Sequence, residues 1–173
     1  MKKKMIAALL TAAMAAGSLS GATVFAADAG TDEKVEMADA SDVDGTTITF
    51  WHSMGGVNGE AIDTLVKKFN DENEYGITVD AQYQGEYDDS LNKLKSAQIG
   101  NMGADLVQVY EIGTRFMIDS GWIVPMQQMI DADSYDVSEI EPNLAAYYTI
   151  DNELYSMPFN SSTPIMYYNK DMF

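Results

Sequence analysis

The stretch that decides the fold covers residues 46–83 and reads TTITFWHSMGGVNGEAIDTLVKKFNDENEYGITVDAQY. Its first six residues are β-branched or aromatic, which predicts a strand over 46–51. Glycines follow, and apolar residues then recur at helical spacing, which predicts a helix over about 58–71. Apolar and polar residues alternate over 77–83, which predicts a second strand. A strand, a helix and a strand in this order indicate a right-handed crossover between parallel strands.

The same alternation of strands and helices continues towards the C-terminus. Asp88 and Asp89 stand where a helix N-cap would lie, so a second helix is predicted after them. Residues 104–110 read ADLVQVY, a nearly continuous apolar run typical of a buried parallel strand. A third helix is predicted over 113–120, with Gly121 ending it. We therefore expect an α/β fold with an open, mostly parallel sheet flanked by helices.

The last part of the chain predicts smaller elements. Residues 126–130 indicate a further helical turn. Ser138 and Glu141 have the S-x-x-E spacing of a capping box, which predicts a fourth helix just after them. Residues 155–159 and 164–168 are rich in apolar and aromatic side chains and predict two more strands.

The N-terminal residues have the three parts of a secretory signal peptide. Lysines at 2–4 precede an apolar run over 5–16, and small residues follow up to Ala26. We predict a signal peptide at 1–26, because the apolar run is too short to span a bilayer. Residues 27–45 are small and acidic, which predicts a disordered spacer. The protein is therefore expected to be exported, to the periplasm or the outer face of the cytoplasmic membrane, soluble and without a lipid anchor.

The composition excludes several function classes. The 173 residues include no cysteine, one histidine, and 27 acidic against 10 basic side chains, for a formal net charge of −17. Without cysteine there are no disulfides, thiolate metal sites or cysteine nucleophiles. The single histidine argues against a metal cluster or a catalytic triad, and the acidic charge argues against nucleic-acid binding. We expect a monomer with no cofactor, no metal site and no catalytic residues.

The ends of the predicted strands mark the candidate site. In open parallel sheets ligands bind outside the carboxyl ends of the strands, which here are 51–53, 84–87 and 110–111. Aromatic residues at these ends, Trp51 and Tyr87, are candidates for stacking on a sugar ring. Glu111 could accept hydrogen bonds from two neighbouring hydroxyls, or it could be an ordinary glutamate at a helix start.

Two further segments have both a functional and an ordinary interpretation. The glycines at 55–59 could cradle a phosphate, but this pattern is more typical of a plain turn before a helix. Residues 160–163 read NSST, and their hydroxyl and amide groups suit a polar ligand or a phosphate. Loops of that composition are more often only loops.

Four segments carry a family resemblance. They are FWHSM at 50–54, LVQVYE at 106–111, PFNSSTP at 158–164 and YYNKD at 167–171. Together they resemble the extracellular solute-binding proteins, family 1, of ABC importers. The resemblance implies a periplasmic-binding-protein-like lobe, and it implies that 46–173 form the first of two lobes and end near the hinge. The second lobe would then lie beyond this sequence.

The resemblance also implies a ligand and its contacts. The more specific segments are similar to members of the family that bind sn-glycerol 3-phosphate, so that ligand or a glycerophosphodiester is expected. Tyr87, Glu111 and Ser162 would then be ligand-binding residues, and ABC permease subunits would be partners. A sugar or oligosaccharide ligand within the same family is the alternative, and an exported hydrolase is a more remote one.

Overall fold

The computed structural model of the protein describes residues 35–100 and 102–173. The predicted signal peptide lies outside the described residues. The strands are β1 (Thr47–His52), β2 (Thr78–Tyr83), β3 (Leu106–Val107), β4 (Thr149–Ile150) and β5 (Glu153–Leu154). The helices are α1 (Ala40–Val43), α2 (Gly56–Glu72), α3 (Tyr87–Ile99), α4 (Glu111–Ser120), α5 (Met126–Asp133) and α6 (Pro142–Tyr147), and a 3₁₀-helix covers Lys170–Met172. In the described part of the chain, no helix is long and apolar enough to cross a membrane.

Three parallel strands form the main sheet, in the order β2-β1-β3. β1 lies parallel to β2 with Thr47 opposite Thr78, and parallel to β3 with Phe50 opposite Leu106. Helices α2 and α3 connect the strands, as the crossovers of a parallel sheet require. β4 and β5 form a separate antiparallel hairpin. The predicted α/β fold with a mostly parallel sheet and flanking helices is confirmed.

Strand β3 is much shorter than the predicted 104–110, because side chains replace its backbone at both ends. Before β3, the Asp105 carboxylate accepts the backbone N–H of Thr49 at 2.9 Å. After it, the Gln108 side chain accepts the backbone N–H of Ser53 at 2.9 Å. The N–H groups of Thr49 in β1 and of Ser53 just after it are therefore satisfied without a longer partner strand.

Two asparagines fasten the end of α2 to the exposed edge of the sheet. The Asn70 amide accepts the N–H of Val79 at 2.8 Å and donates to its carbonyl at 3.0 Å, as a neighbouring strand would. The Asn73 oxygen accepts the N–H groups of Tyr75 and Ile77 at 3.2 and 3.0 Å. These bonds cover part of the free edge of β2 and fix the connection from α2 into the strand.

The beginning of the described chain differs from the spacer expected over 27–45. Residues 27–34 lie outside the described part, but α1 follows, and Val43 at its end is completely buried. Val43 packs with Ile48 and Ile77 in the core cluster. One apolar side chain in an otherwise acidic stretch is enough to attach the segment to the sheet, since burying a valine stabilises the fold by about 1.5 kcal/mol or more.

The helix boundaries show one confirmed and one wrong prediction. Gly121 ends α4 in the left-handed conformation with φ of 66°, and its N–H donates to the carbonyl of Ile118. Asp88 and Asp89 do not cap α3, because the helix begins earlier and Glu86 is its N-cap. The two aspartates lie in the first turn, where the helix dipole favours negative charge.

The capping box predicted from Ser138 and Glu141 is not formed. Helix α6 begins at Pro142, and the Glu141 side chain makes no capping hydrogen bond. The N–H of Ser138 instead bonds to the Asp136 carboxylate at 2.9 Å. A proline at the first helical position needs no cap for its missing N–H and sets the helical φ by itself.

The strands predicted at 155–159 and 164–168 are absent from the described residues. A strand needs a ladder of backbone hydrogen bonds. In the part of the chain that the structure describes, only Tyr155 at the start of these segments bonds to other backbone groups, those of Tyr148 and Met126, and no ladder continues after it. Pro158 and Pro164 also lack the N–H that a ladder requires. Apolar composition alone was therefore misleading here.

Candidate ligand-binding site

The carboxyl edge of the three-stranded sheet brings together the residues that the sequence singled out. All three strands are parallel, so their C-terminal ends lie at one edge. Tyr87 is the first residue of α3 and Glu111 is the first residue of α4, and both helices begin at this edge. Open parallel sheets bind their ligands in this position.

Tyr87 is half-buried, and another aromatic ring holds its own ring in place. It stacks on Tyr110 with ring centroids 5.3 Å apart and only 5° between the planes. The Tyr110 hydroxyl donates a hydrogen bond to the Asp88 carboxylate. That bond is the main reason why the pKa of Tyr110 is raised, with smaller contributions from burial and from the charge of Glu111. The stack therefore leaves the Tyr87 ring with a defined orientation.

Glu111 is exposed and lies in the first turn of α4, where the helix dipole favours its charge. Its charge also acts on Tyr148, whose pKa is raised mainly by burial and then by Tyr147, Glu111 and Tyr87. Glu111 directly follows Tyr110, whose ring stacks on Tyr87, so the carboxylate and these phenol rings lie in the same region. An exposed carboxylate beside aromatic rings can accept hydrogen bonds from hydroxyls while a ring covers the carbon skeleton of a polyol.

The loop at 160–163 is attached to the same region through Asn160. Its side chain accepts a hydrogen bond from Gln108 at 2.7 Å and donates one to the hydroxyl of Tyr87 at 3.2 Å. Ser162 lies two residues further on and is exposed. The structure therefore brings Tyr87, Glu111 and the loop that carries Ser162 to one edge of the sheet.

The end of β1 is occupied by structural contacts. His52 is only 3% exposed, and its Nδ1 accepts the N–H of Met54 at 3.3 Å. Burial lowers the pKa of His52, and the charge of Asp63 opposes this only in part. The indole N–H of Trp51 donates to Gln82 across the sheet at 3.1 Å, so this ring is tied to β2.

The glycine-rich turn has a packing explanation. Gly56 begins α2 with φ of 55°, a backbone conformation that residues other than glycine rarely adopt. A Cβ at Gly59 would lie 2.8 Å from the carbonyl oxygen of Met54. Backbone geometry thus accounts for these glycines. Among the described residues, no cluster of carboxylate, histidine or cysteine side chains could hold a metal ion.

Comparison with known proteins decides the family. A family model described as bacterial extracellular solute-binding protein matches residues 64–173. The chain belongs to this family. The resemblance seen in the sequence motifs is thereby confirmed.

Relatives of this solute-binding protein include proteins named "sn-glycerol-3-phosphate-binding periplasmic protein UgpB". The protein from Salmonella typhimurium LT2 is 43% identical over 134 residues, which are 74% of this chain and 30% of the relative. The protein from Escherichia coli K12 is 41% identical over 134 residues, with the same 74% and 30% coverage. The solute-binding protein described here thus spans about a third of the length of these relatives.

A solved structure supports the fold of this solute-binding protein. The family 1 extracellular solute-binding protein from Alicyclobacillus acidocaldarius matches with a TM-score of 0.54 and 23% identity. The match covers 65% of this chain and 28% of that one. At that identity the likeness concerns the fold alone, and it agrees with the parallel sheet and flanking helices described above.

Sequence reasoning missed two polar residues of the candidate site in this solute-binding protein. Gln108 was not singled out, although a polar residue inside the apolar run ADLVQVY was a visible signal. It is buried, at 9% exposure, and its amide bonds to Ser53 and Asn160. Asn160 was noted only as part of a polar loop, and nothing in the local sequence indicates its contact with Tyr87, 73 residues away.

Proposed function

We propose that this protein is the extracytoplasmic substrate-binding protein of an ABC importer. It captures sn-glycerol 3-phosphate, or a glycerophosphodiester, and delivers it to the permease subunits in the membrane. The relatives named as sn-glycerol-3-phosphate-binding proteins, at 41–43% identity, support this ligand. The observation that carries the proposal is the convergence of Tyr87, Glu111 and the Ser162 loop at the carboxyl edge of the sheet.

The chemistry of these three side chains fits the proposed ligand. The Glu111 carboxylate is acceptor-only when ionised, so it suits the hydroxyls of glycerol. The hydroxyls of Tyr87 and Ser162 suit oxygens of the hydroxyl or phosphate groups. In this proposal the protein binds its ligand without changing it and needs no cofactor or metal.

The proposal extends to the organisation and location of the protein. Residues 1–26 direct export and are removed, and the protein works as a monomer in the periplasm or at the outer face of the cytoplasmic membrane. Residues 46–173 form one lobe of a two-lobed receptor, and a hinge closes the lobes over the ligand. The family itself is extracellular, which supports this location.

A thermal shift experiment tests the ligand. The protein is produced from its complete gene, and its melting temperature is followed with millimolar sn-glycerol 3-phosphate and with maltose. Ligand at 100 times Kd adds about 2.7 kcal/mol to the free energy of unfolding, which gives a measurable shift. A shift with maltose alone would make a sugar the ligand, and no shift with either would contradict the proposal. Recovery of unchanged ligand by NMR separates binding from hydrolysis.

A pair of matched variants tests the site. Glu111→Gln removes the charge but keeps the size, and we expect it to weaken glycerol 3-phosphate binding about tenfold or more, since hydrogen bonds to charged groups are the stronger ones. Glu72→Gln removes the same charge at the C-terminal end of α2. This helix of 17 residues is roughly 25 Å long and starts just after β1 ends at the carboxyl edge of the sheet, so Glu72 lies far from that edge. This variant is expected to leave the affinity unchanged. Equal affinities of the two variants would exclude Glu111 from the site.

A further inference from the structure

A chain of hydrogen bonds joins the end of β1 to the hydroxyl of Tyr87. Oε1 of Gln108 accepts the backbone N–H of Ser53 at 2.9 Å. Nε2 of Gln108 donates to Oδ1 of Asn160 at 2.7 Å. Nδ2 of Asn160 donates to the Tyr87 hydroxyl oxygen at 3.2 Å. The three bonds connect residues that lie 55, 52 and 73 positions apart in the sequence.

The first donor, the backbone N–H of Ser53, fixes the direction of all three hydrogen bonds. A backbone N–H can only donate, so the carbonyl oxygen of the Gln108 amide must face Ser53. The NH₂ group of Gln108 must then face Asn160, whose oxygen accepts and whose NH₂ group in turn faces Tyr87. The Tyr87 oxygen is therefore an acceptor in this contact. Its own O–H hydrogen remains to be donated to another group.

The first residues of this hydrogen-bond chain are held by the sheet. The backbone N–H of Gln108 donates to the carbonyl of Trp51 at 2.9 Å, and its side chain is 9% exposed. A buried amide with both ends bonded cannot rotate by half a turn without losing both bonds, each of which contributes about 1 kcal/mol. At the other end, the stack on Tyr110 holds the Tyr87 ring. The donor-to-acceptor direction of the hydrogen bonds that is set at Ser53 is thus the same up to the hydroxyl of Tyr87.

We propose that Gln108 and Asn160 are positioning residues, which set the Tyr87 hydroxyl so that it presents a hydrogen-bond donor to an oxygen of the ligand. The inference rests on the proposed function, because it takes Tyr87 as a ligand contact. A donor at this position matches a phosphate or hydroxyl oxygen. It complements Glu111, which offers an acceptor when ionised.

The test reverses the direction of the last bond with the isosteric change Asn160→Asp. An ionised carboxylate cannot donate, so the Tyr87 hydroxyl turns its hydrogen to the aspartate introduced at position 160 and presents lone pairs to the ligand. In the protein from the complete gene, we expect the affinity for sn-glycerol 3-phosphate to fall about tenfold, and we expect the same decrease in Tyr87→Phe. Asn160→Ala leaves the hydrogen of Tyr87 available and is expected to cost clearly less.

The double variant separates this explanation from charge repulsion. Without the Tyr87 hydroxyl there is no hydrogen to turn, so Asn160→Asp should cost less than about twofold in the Tyr87→Phe background. Repulsion between the added carboxylate and the phosphate would cost the same in both backgrounds. Equal costs, or a loss in Asn160→Ala as large as in Asn160→Asp, would overturn the proposal. Isothermal titration calorimetry measures all five proteins.

A second measurement needs no ligand and keeps the two proposals distinguishable. A hydroxyl bonds more strongly to a carboxylate than to an amide. Tyr87→Phe should therefore lower the melting temperature of the free protein more in the Asn160→Asp background than in the parent. If the parent binds no sn-glycerol 3-phosphate, the proposed function fails, and this cycle still decides the direction of the hydrogen bond. Equal decreases in the two backgrounds would overturn the present inference.

Discussion

At the scale of single residues, His52 lies where the sheet meets the candidate site, and its surroundings determine its protonation state. The rings of Phe50 and Tyr83 have their centroids 5.6 and 6.0 Å away, and the side chain is 3% exposed. Since Nδ1 accepts the N–H of Met54, the neutral ring carries its hydrogen on Nε2. Burial lowers the pKa of this group below its usual 6.5, and the more weakly acting Asp63 does not cancel the effect.

This lowered pKa predicts a pH-dependent stability. The unfolded chain takes up a proton near pH 6.5, while the folded protein resists it until a lower pH. The contribution of His52 is therefore complete above pH 6.5 and is lost as the pH falls through 6.5 towards the folded value. The free energy of unfolding should decrease less between pH 7.5 and 5.5 in His52→Gln than in the parent. Denaturant unfolding at both pH values measures this, and parallel decreases in the two proteins would contradict it.

The strands and helices show which parts of the fold the local sequence predicts. β1 follows from its β-branched and aromatic residues, and β2 and α2 follow from the periodicity of apolar residues within the same stretch. The extent of β3 does not, since it is limited by Asp105 and Gln108 bonding to residues 56 and 55 positions away. The same distinction holds for the site. Strand ends predicted the regions of Tyr87 and Glu111, but not the side-chain hydrogen bonds that run from Gln108 through Asn160 to Tyr87.

Helix α3 contains a testable defect. The Ser90 side chain is only 2% exposed, and its Oγ has no hydrogen-bond partner among the described residues. A buried hydroxyl without a partner costs about 1–3 kcal/mol, and alanine is also the better helix former. We expect Ser90→Ala to increase the free energy of unfolding by about 1 kcal/mol, as measured by urea denaturation.

Another serine of the same helix provides the control. Ser96 is exposed, and its hydroxyl donates to the carbonyl of Asn92 at 3.0 Å. Ser96→Ala exchanges this bond for helix propensity, so it should change the free energy of unfolding by less than about 0.5 kcal/mol. A decrease of stability in Ser90→Ala would mean that Oγ has a partner in solution, such as a buried water molecule.

At the scale of the whole molecule, the size of the proposed ligand sets the demand on the protein. sn-Glycerol 3-phosphate has about ten non-hydrogen atoms, so micromolar affinity requires about −0.8 kcal/mol per atom. The best very small ligands reach about −1.5 kcal/mol per atom, which requires nearly complete burial. Glu111 and Ser162 are both exposed in the structure. The net charge of −17 also opposes an anionic ligand.

These conditions predict how the 173-residue chain behaves on its own. It spans 30% of the length of its relatives from Salmonella and Escherichia coli K12. A single exposed edge covers one side of the ligand and leaves the other side in water, so we expect the isolated chain to bind sn-glycerol 3-phosphate with a Kd above about 1 mM. Ligand-observed NMR measures affinities in this range, and circular dichroism checks that the chain is folded. Micromolar binding by the folded 173-residue chain would show that the edge holding Tyr87 and Glu111 is sufficient, and that closure by a second surface is not required.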